Sequence, residues 1–306
     1  MKKSLADIIE HSCKIQRTNH KTTCQSMLVS FFGDVLAVHG GVISLNSLVG
    51  MFKKFGYTEQ TTRITIYRLQ KDGWITSNRL GKNKFVSFSS VAYAQYHEIS
   101  KRLYGSHQTT FENTWIVIFA PLLNNKKLYL LNSRLQWLGY CAILPRCYIR
   151  QSSNIKQIIE ILDEYDLNDK TIVLSGTLED ITKHNLIFSV LPQKLQIQTL
   201  NKRYQQFINY YLPIADFIPK FAELKDTHHV QLRIFLLNDF RKIQLRDPCL
   251  PSSFLSSNWI GYRARQLFNR LYSATAKLSS EYISKTLRNE QGYLPEASIE
   301  FKQRLQ

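Results

Sequence analysis

Thr58-Glu59-Gln60-Thr61-Thr62-Arg63-Ile64-Thr65-Ile66-Tyr67-Arg68-Leu69-Gln70-Lys71-Asp72-Gly73-Trp74 reads as a capped helix followed by a stop. Thr58 offers a side-chain oxygen to the first free backbone N–H groups, and Asp72-Gly73 ends the helical pattern after Lys71. Thr62, Ile66 and Leu69 form a narrow inward stripe, which leaves Gln60, Thr61, Arg63, Ile64, Tyr67, Arg68 and Lys71 on the outward face. A hairpin is expected next. Trp74–Leu80 and Lys84–Phe88 supply β-forming residues on either side of the turn Gly81-Lys82-Asn83, with Arg79, Lys82 and Lys84 at its tip.

Upstream, Met27, Leu28, Phe31, Phe32, Val35, Leu36 and Val38 recur at helical spacing from Thr22 until Gly40-Gly41 interrupts them. Leu48, Val49, Phe52 and Phe55 mark a second, shorter helix from Asn46 to Phe55, stopped by Gly56. Three helices and then a basic hairpin is the order of a winged helix-turn-helix, placed at residues 21–90. Its chemistry suits double-stranded DNA. A helix fits the major groove, where Gln60, Thr61, Arg63, Tyr67, Arg68 and Lys71 can reach base edges or phosphates. Arg79, Lys82 and Lys84 can meet the flanking backbone or the minor groove. The competing reading is a solvated surface helix and a hairpin kept soluble by its lysines.

Charge is consistent with an anionic partner. The 306 residues carry 40 Lys and Arg against 23 Asp and Glu, a net +17. The surplus is seven over residues 1–100, three over 101–200 and seven over 201–306, so the ends are basic and the middle is nearly balanced. An apolar content of 44% with 12% aromatics excludes a disordered chain. The longest apolar run, Trp115–Leu123, is far too short to span a bilayer, and Met1-Lys2-Lys3 leads into no apolar segment of the secretory kind. Five cysteines without a CxxC pair argue against a disulfide framework and a zinc finger. These features predict a cytoplasmic protein of several domains with no membrane partner.

A resemblance to a known family rests on two separated stretches. Ser26–Asp34, Gly40-Gly41 and Arg63–Trp74 resemble the PaaX-type transcriptional repressors of phenylacetic-acid degradation operons, and Asn238–Pro251 resembles that family's other signature. The resemblance implies a homodimer on near-palindromic operator DNA, released by an aryl-acetyl-coenzyme A effector such as phenylacetyl-CoA or a relative. It implies no other cofactor and no catalytic residue. One position departs from the family pattern: Asn238 stands where a His is usual.

The expected architecture is α+β and multi-domain. Residues 1–20 form an N-terminal arm that could make a short amphipathic helix, 21–90 the winged helix-turn-helix, and 91–110 a linking helix. Residues 111–178 follow the element order of a ferredoxin-like domain: strand 114–120, helix 126–138, strands within 141–150, helix 155–165 and strand 170–175. By resemblance this domain is similar in fold to a small CRISPR-associated endonuclease, which raises the alternative of a metal-dependent nuclease. That family places an acid at the end of the first strand. Phe119-Ala120-Pro121-Leu122 has none, and Glu160, Asp163, Glu164, Asp166 and Asp169 read as a solvated helix face and its exit, so no metal ligands are assigned.

Residues 179–306 are expected to form one helical effector and dimerisation domain, with helices closed by Pro213 and by Pro248 and a third through Trp259–Ile283. Arg241, Lys242, Arg246 and Trp259 are the candidates for an effector pocket, because arginine forks suit phosphates and aromatic walls suit an acyl group. The plainer alternative is a set of amphipathic helices whose arginines cover an aromatic core. His228-His229 has no ligand partners at metal spacing.

Overall fold

The computed structural model describes residues 22–105, 114–152, 154–177, 197–247, 258–299, 301 and 304. The expected arm at 1–20 and the helix stop at Pro248 lie outside the described residues. The fold mixes helices with small sheets and divides into two compact units. The first takes residues 1–104, 207–241 and 264–306, and the second takes 105–206 and 242–263.

In the first unit, helix α1 (Cys24–Asp34) starts at Thr23, whose hydroxyl accepts from the Ser26 N–H at 3.2 Å. Met27, Leu28, Phe31 and Phe32 are all buried, while Ser26, Ser30 and Asp34 lie four apart as a polar stripe. Helix α2 (Leu45–Lys54) is capped by Ser44, and helix α3 (Glu59–Lys71) by Thr58, which accepts from the Thr61 N–H at 3.1 Å. The buried residues of α3 are Thr62, Ile66 and Leu69, the stripe read from the sequence. Strands β2 (Ile75–Leu80) and β3 (Asn83–Phe88) form the expected hairpin, with Arg79 opposite Lys84. A strand that was not expected, β1 (Val42–Ser44), pairs with the other side of β3, giving the order β1-β3-β2. Helix α4 (Ser90–Tyr104) follows.

Three C-terminal helices complete this unit and cross into the second: α7 (Ile197–Ala215), α8 (Asp226–Gln244) and α9 (Ile260–Thr286). Of the stretch 179–306 expected as one domain, residues 207–241 and 264–306 group with the N-terminal residues and 242–263 with the second unit. Phe55, for example, meets Phe235 at 6.1 Å while also packing edge-on to Phe31 and Phe52. Pro213 does not close α7, which continues to Ala215. A proline this near the helix end removes one late hydrogen bond, and the two residues after it can keep helical dihedrals.

A buried polar clasp lies inside this apolar packing. Arg233 of α8, fully buried, donates from Nε to Asp34 Oδ2 at 2.7 Å and from Nη2 to the Asp34 carbonyl at 3.1 Å. Its Nη1 reaches Ser279 at 3.0 Å and Ser280 at 3.2 Å, and its guanidinium lies over the Phe301 ring at 4.6 Å. The second Asp34 oxygen accepts from Tyr104 and Tyr272. Burial alone would raise the Asp34 carboxyl; the Arg233 charge and the two phenol donors outweigh it and hold the group below its ordinary value. A second set of bonds joins α1 to α8. Asn238 Oδ1 accepts from Ser26 at 2.6 Å and Ser30 at 3.3 Å, and Arg241 donates to the same two hydroxyls.

In the second unit, β4 (Thr114–Phe119), α5 (Asn125–Leu138), β5 (Cys141–Leu144), β6 (Cys147–Gln151), α6 (Ile155–Glu164) and β7 (Ile172–Thr177) appear in the expected order. The sheet order is β5-β6-β4-β7 with every neighbour antiparallel. Ile116 and Ile118 of the central strand pack with Leu131, Leu135, Ile158 and Leu162 of the two helices. Tyr204, Gln244 and Asp247 form a buried chain in the same unit: Gln244 Nε2 donates to the Tyr204 hydroxyl at 2.8 Å, and that hydroxyl donates to Asp247. Among the described residues, no helix is long and apolar enough to cross a membrane.

Candidate nucleic-acid interface and an arginine-lined cleft

Helix α3 presents the face its sequence predicts. Gln60, Thr61, Arg63, Tyr67, Arg68 and Lys71 are exposed, and Tyr67 keeps 68% of its surface open, far more than an aromatic needed for packing would. Thr61 shares a 2.8 Å hydrogen bond with Thr58 at the cap, and Thr65 donates to the Thr61 carbonyl. Arg63 is held at the helix start by Glu59, with its Nε 2.8 Å from the carboxylate. This pair is solvated and contributes little to stability, so its main effect is to orient the guanidinium.

At the hairpin tip, Arg79 and Lys82 are exposed. Lys84 is half-buried and donates from Nζ to Gln70 Oε1 at 3.0 Å, while Gln70 Nε2 donates to Ser77 at 2.7 Å. Gln70 thus braces α3 against both strands of the hairpin. The sequence reading missed it, since a glutamine late in a helix carries no signal of its own. A double-mutant cycle of Gln70→Ala and Lys84→Ala, followed by urea denaturation, is expected to show a coupling of about 0.5 kcal/mol or more. The Arg79–Lys84 pairing sets like charges opposite one another, which is unfavourable in a sheet facing only water and is relieved by an anion.

The strand end where a nuclease of the alternative class would carry an acid holds the buried Ala120. The acids of α6 and its exit have ordinary partners: Glu164 meets Arg134 at 2.8 Å and Asp166 meets Lys127 at 3.5 Å. Among the described residues, no group of three or more His, Cys, Asp or Glu could hold a metal ion. His228 and His229 are buried, and burial lowers the His229 imidazole.

The four effector candidates are placed differently from one another. Arg241 lies inside the core, where its guanidinium donates to the hydroxyls of Ser26 and Ser30 and to the Ser26 carbonyl. A ligand could reach it only by displacing those bonds. Trp259 is buried edge-on against Tyr204 at 5.9 Å, and Lys242 is half-buried. Arg246 lines a cleft of about 390 Å3 within the second unit, and Trp259 lines a separate one of about 350 Å3 with Asn201, Lys202 and Gln205. Arg203, which the sequence reading did not select, lines the Arg246 cleft, as do Leu135, Tyr140, Tyr148 and Leu200.

An outward helix of donors and a cationic hairpin that follows it suit an anionic partner. Comparison with known proteins is more specific. Residues 23–91 match the model for PaaX-like protein, and residues 195–285 match the model for the PaaX-like protein C-terminal domain. The chain belongs to the PaaX-like family. It is 25% identical over 271 residues to the transcriptional repressor PaaX of Escherichia coli strain K12, covering 88% of this chain and 86% of that protein. Among solved structures it is similar to the uncharacterized protein Rv0674 from Mycobacterium tuberculosis, with a TM-score of 0.50 and 14% identity over 85% of this chain and 98% of the other. That likeness speaks to the fold alone.

Proposed function

We propose that the protein is a DNA-binding transcriptional repressor of the PaaX type. It acts in the cytoplasm as a homodimer on a near-palindromic operator and controls an aromatic-acid catabolic operon of the phenylacetate kind. The N-terminal helices and hairpin work as a winged helix-turn-helix, with α3 in the major groove, and the β5-β6-β4-β7 unit is a ferredoxin-like scaffold. The observation that carries the reading is the exposure of Arg63, Tyr67, Arg68 and Lys71 on α3 and of Arg79 and Lys82 on the hairpin that follows it. The name of the Escherichia coli relative supports it. Release comes from an acyl-coenzyme A, phenylacetyl-CoA or a relative, which must bind the released conformation more tightly than the DNA-bound one.

Gel shifts on the upstream region of the protein's own gene test the DNA half. Preference for that region over random DNA is expected, and equal binding to both defeats the reading. Arg68→Ala is expected to remove about 1–3 kcal/mol of discrimination if Arg68 reads a base. If it touches only phosphate, binding weakens on all sequences and the salt slope becomes shallower by about one. Addition of phenylacetyl-CoA tests release in the same assay.

A further inference from the structure

We propose that the cleft of the second unit is an anion site that takes a phosphate group of a small ligand between Arg203 and Arg246, with the ligand's organic part against Leu135, Leu200 and Leu245. The inference deepens the effector reading above and rests on it for the ligand's class. It rests on geometry for the ligand's place.

The cleft holds about 390 Å3, within the range of small-molecule sites (~300–1,000 Å3). Two guanidiniums line it, one from α7 and one from the turn after α8, and none of the residues lining it is Asp or Glu. Arg246 donates from one terminal nitrogen to the Lys242 carbonyl at 3.0 Å. Arg203 makes no hydrogen bond or ion pair among the described residues. The nearby carboxylate of Asp247 is buried and accepts from Tyr204. Partial burial and then the Arg203 charge push the Arg246 guanidinium below its ordinary value, so the two cations repel each other with no acid between them.

Concave walls, two adjacent guanidiniums and no compensating carboxylate are the conditions a bound oxyanion satisfies. Arginine forks are suited to phosphate oxygens through paired N–H donors. Leu135, Leu200 and Leu245 also line the cleft and offer apolar contact, and Asn132, which accepts from the Tyr148 hydroxyl, adds polar character.

Isothermal titration of the full chain with inorganic pyrophosphate and, separately, with coenzyme A tests the site. Wild-type protein is expected to bind both. Arg203→Ala and Arg246→Ala are each expected to weaken binding at least tenfold with the melting temperature of the ligand-free protein unchanged. Arg203→Lys should fall between, and Arg270→Ala, an exposed arginine elsewhere, should bind as wild type. No binding by wild type, or undiminished binding by both alanine variants, overturns the site. A loss of DNA affinity by both variants without ligand assigns these arginines to DNA backbone and overturns it as well. Gel shifts separate this inference from the effector reading. Ligand that binds through Arg203 and Arg246 without releasing DNA keeps the site and defeats its regulatory role. Release that survives both substitutions defeats the site and keeps the effector.

Discussion

Asp34→Ala is expected to destabilise the protein by about 3–5 kcal/mol, since it leaves the Arg233 guanidinium buried without its counter-charge. Urea denaturation gives the value directly. Arg233 has no route to water: it is fully buried and its remaining partners, Ser279, Ser280 and Tyr272, are neutral. The same deletion removes the acceptor for two buried phenol groups, Tyr104 and Tyr272. The companion variant Asp34→Leu with Arg233→Met separates the causes. Recovery of most of the lost stability shows that the unpaired charge dominates. A double variant as weak as Asp34→Ala assigns the loss to the phenol and serine bonds.

The second large effect is an acid-side loss of stability through His39. Its Nδ1 donates to the Pro295 carbonyl at 2.7 Å, which leaves the lone pair on Nε2, and Nε2 is buried with no partner among the described residues. Burial, with the Arg233 charge adding to it, lowers the imidazole from 6.5 to about 4. Above pH 6.5 both folded and unfolded chains carry a neutral His39, so it exerts no penalty. Between pH 6.5 and 4 the unfolded chain takes up a proton that the folded chain refuses, so stability falls as pH falls. The full effect is about 3 kcal/mol, from 1.36 kcal/mol per pH unit. Stability of wild type and His39→Gln measured from pH 7.5 to 4.5 should show a shallower slope in the variant. Parallel slopes would assign the acid sensitivity to other groups, such as His229, whose imidazole is lowered in the same sense.

How much of this was legible in the sequence depended on whether a signal was local. The bounds of α3 followed from the Thr58 cap, the Thr62-Ile66-Leu69 stripe and Gly73, whose φ of 76° places it in the left-handed region. The expected outer face proved to be exposed for the same reason: a helix with a narrow apolar stripe has only one way to turn. β1 was not legible, because Val42–Ser44 is three residues long and is defined only by its pairing with β3. The two units were not legible either, since they combine stretches separated by more than a hundred residues. Arg241 and Arg203 illustrate the limit at the site. Both read as arginines on amphipathic helices, yet one is tied to Ser26 and Ser30 in the core and the other lines a cleft. Asp34 and Arg233 did carry a usable signal, each a lone charge within an apolar run, Phe31–Leu36 and Leu232–Leu237. A charge in such a run needs a buried partner.

The clasp also sets a timetable for the newborn chain. Asp34 and Arg233 are 199 residues apart, and His39 waits for Pro295, 256 residues later. Ser298 closes on Val38 through a backbone bond. At roughly 5–20 residues per second, the ribosome takes some tens of seconds to supply these partners after α1 has emerged. Through that interval α1, with Met27, Leu28, Phe31 and Phe32 to bury, has no native cover from α8 or the tail. The N-terminal helices therefore complete their fold last among elements made first, and only after synthesis has nearly finished. A stalled or prematurely terminated message would release a chain whose N-terminal third is written but not yet buildable.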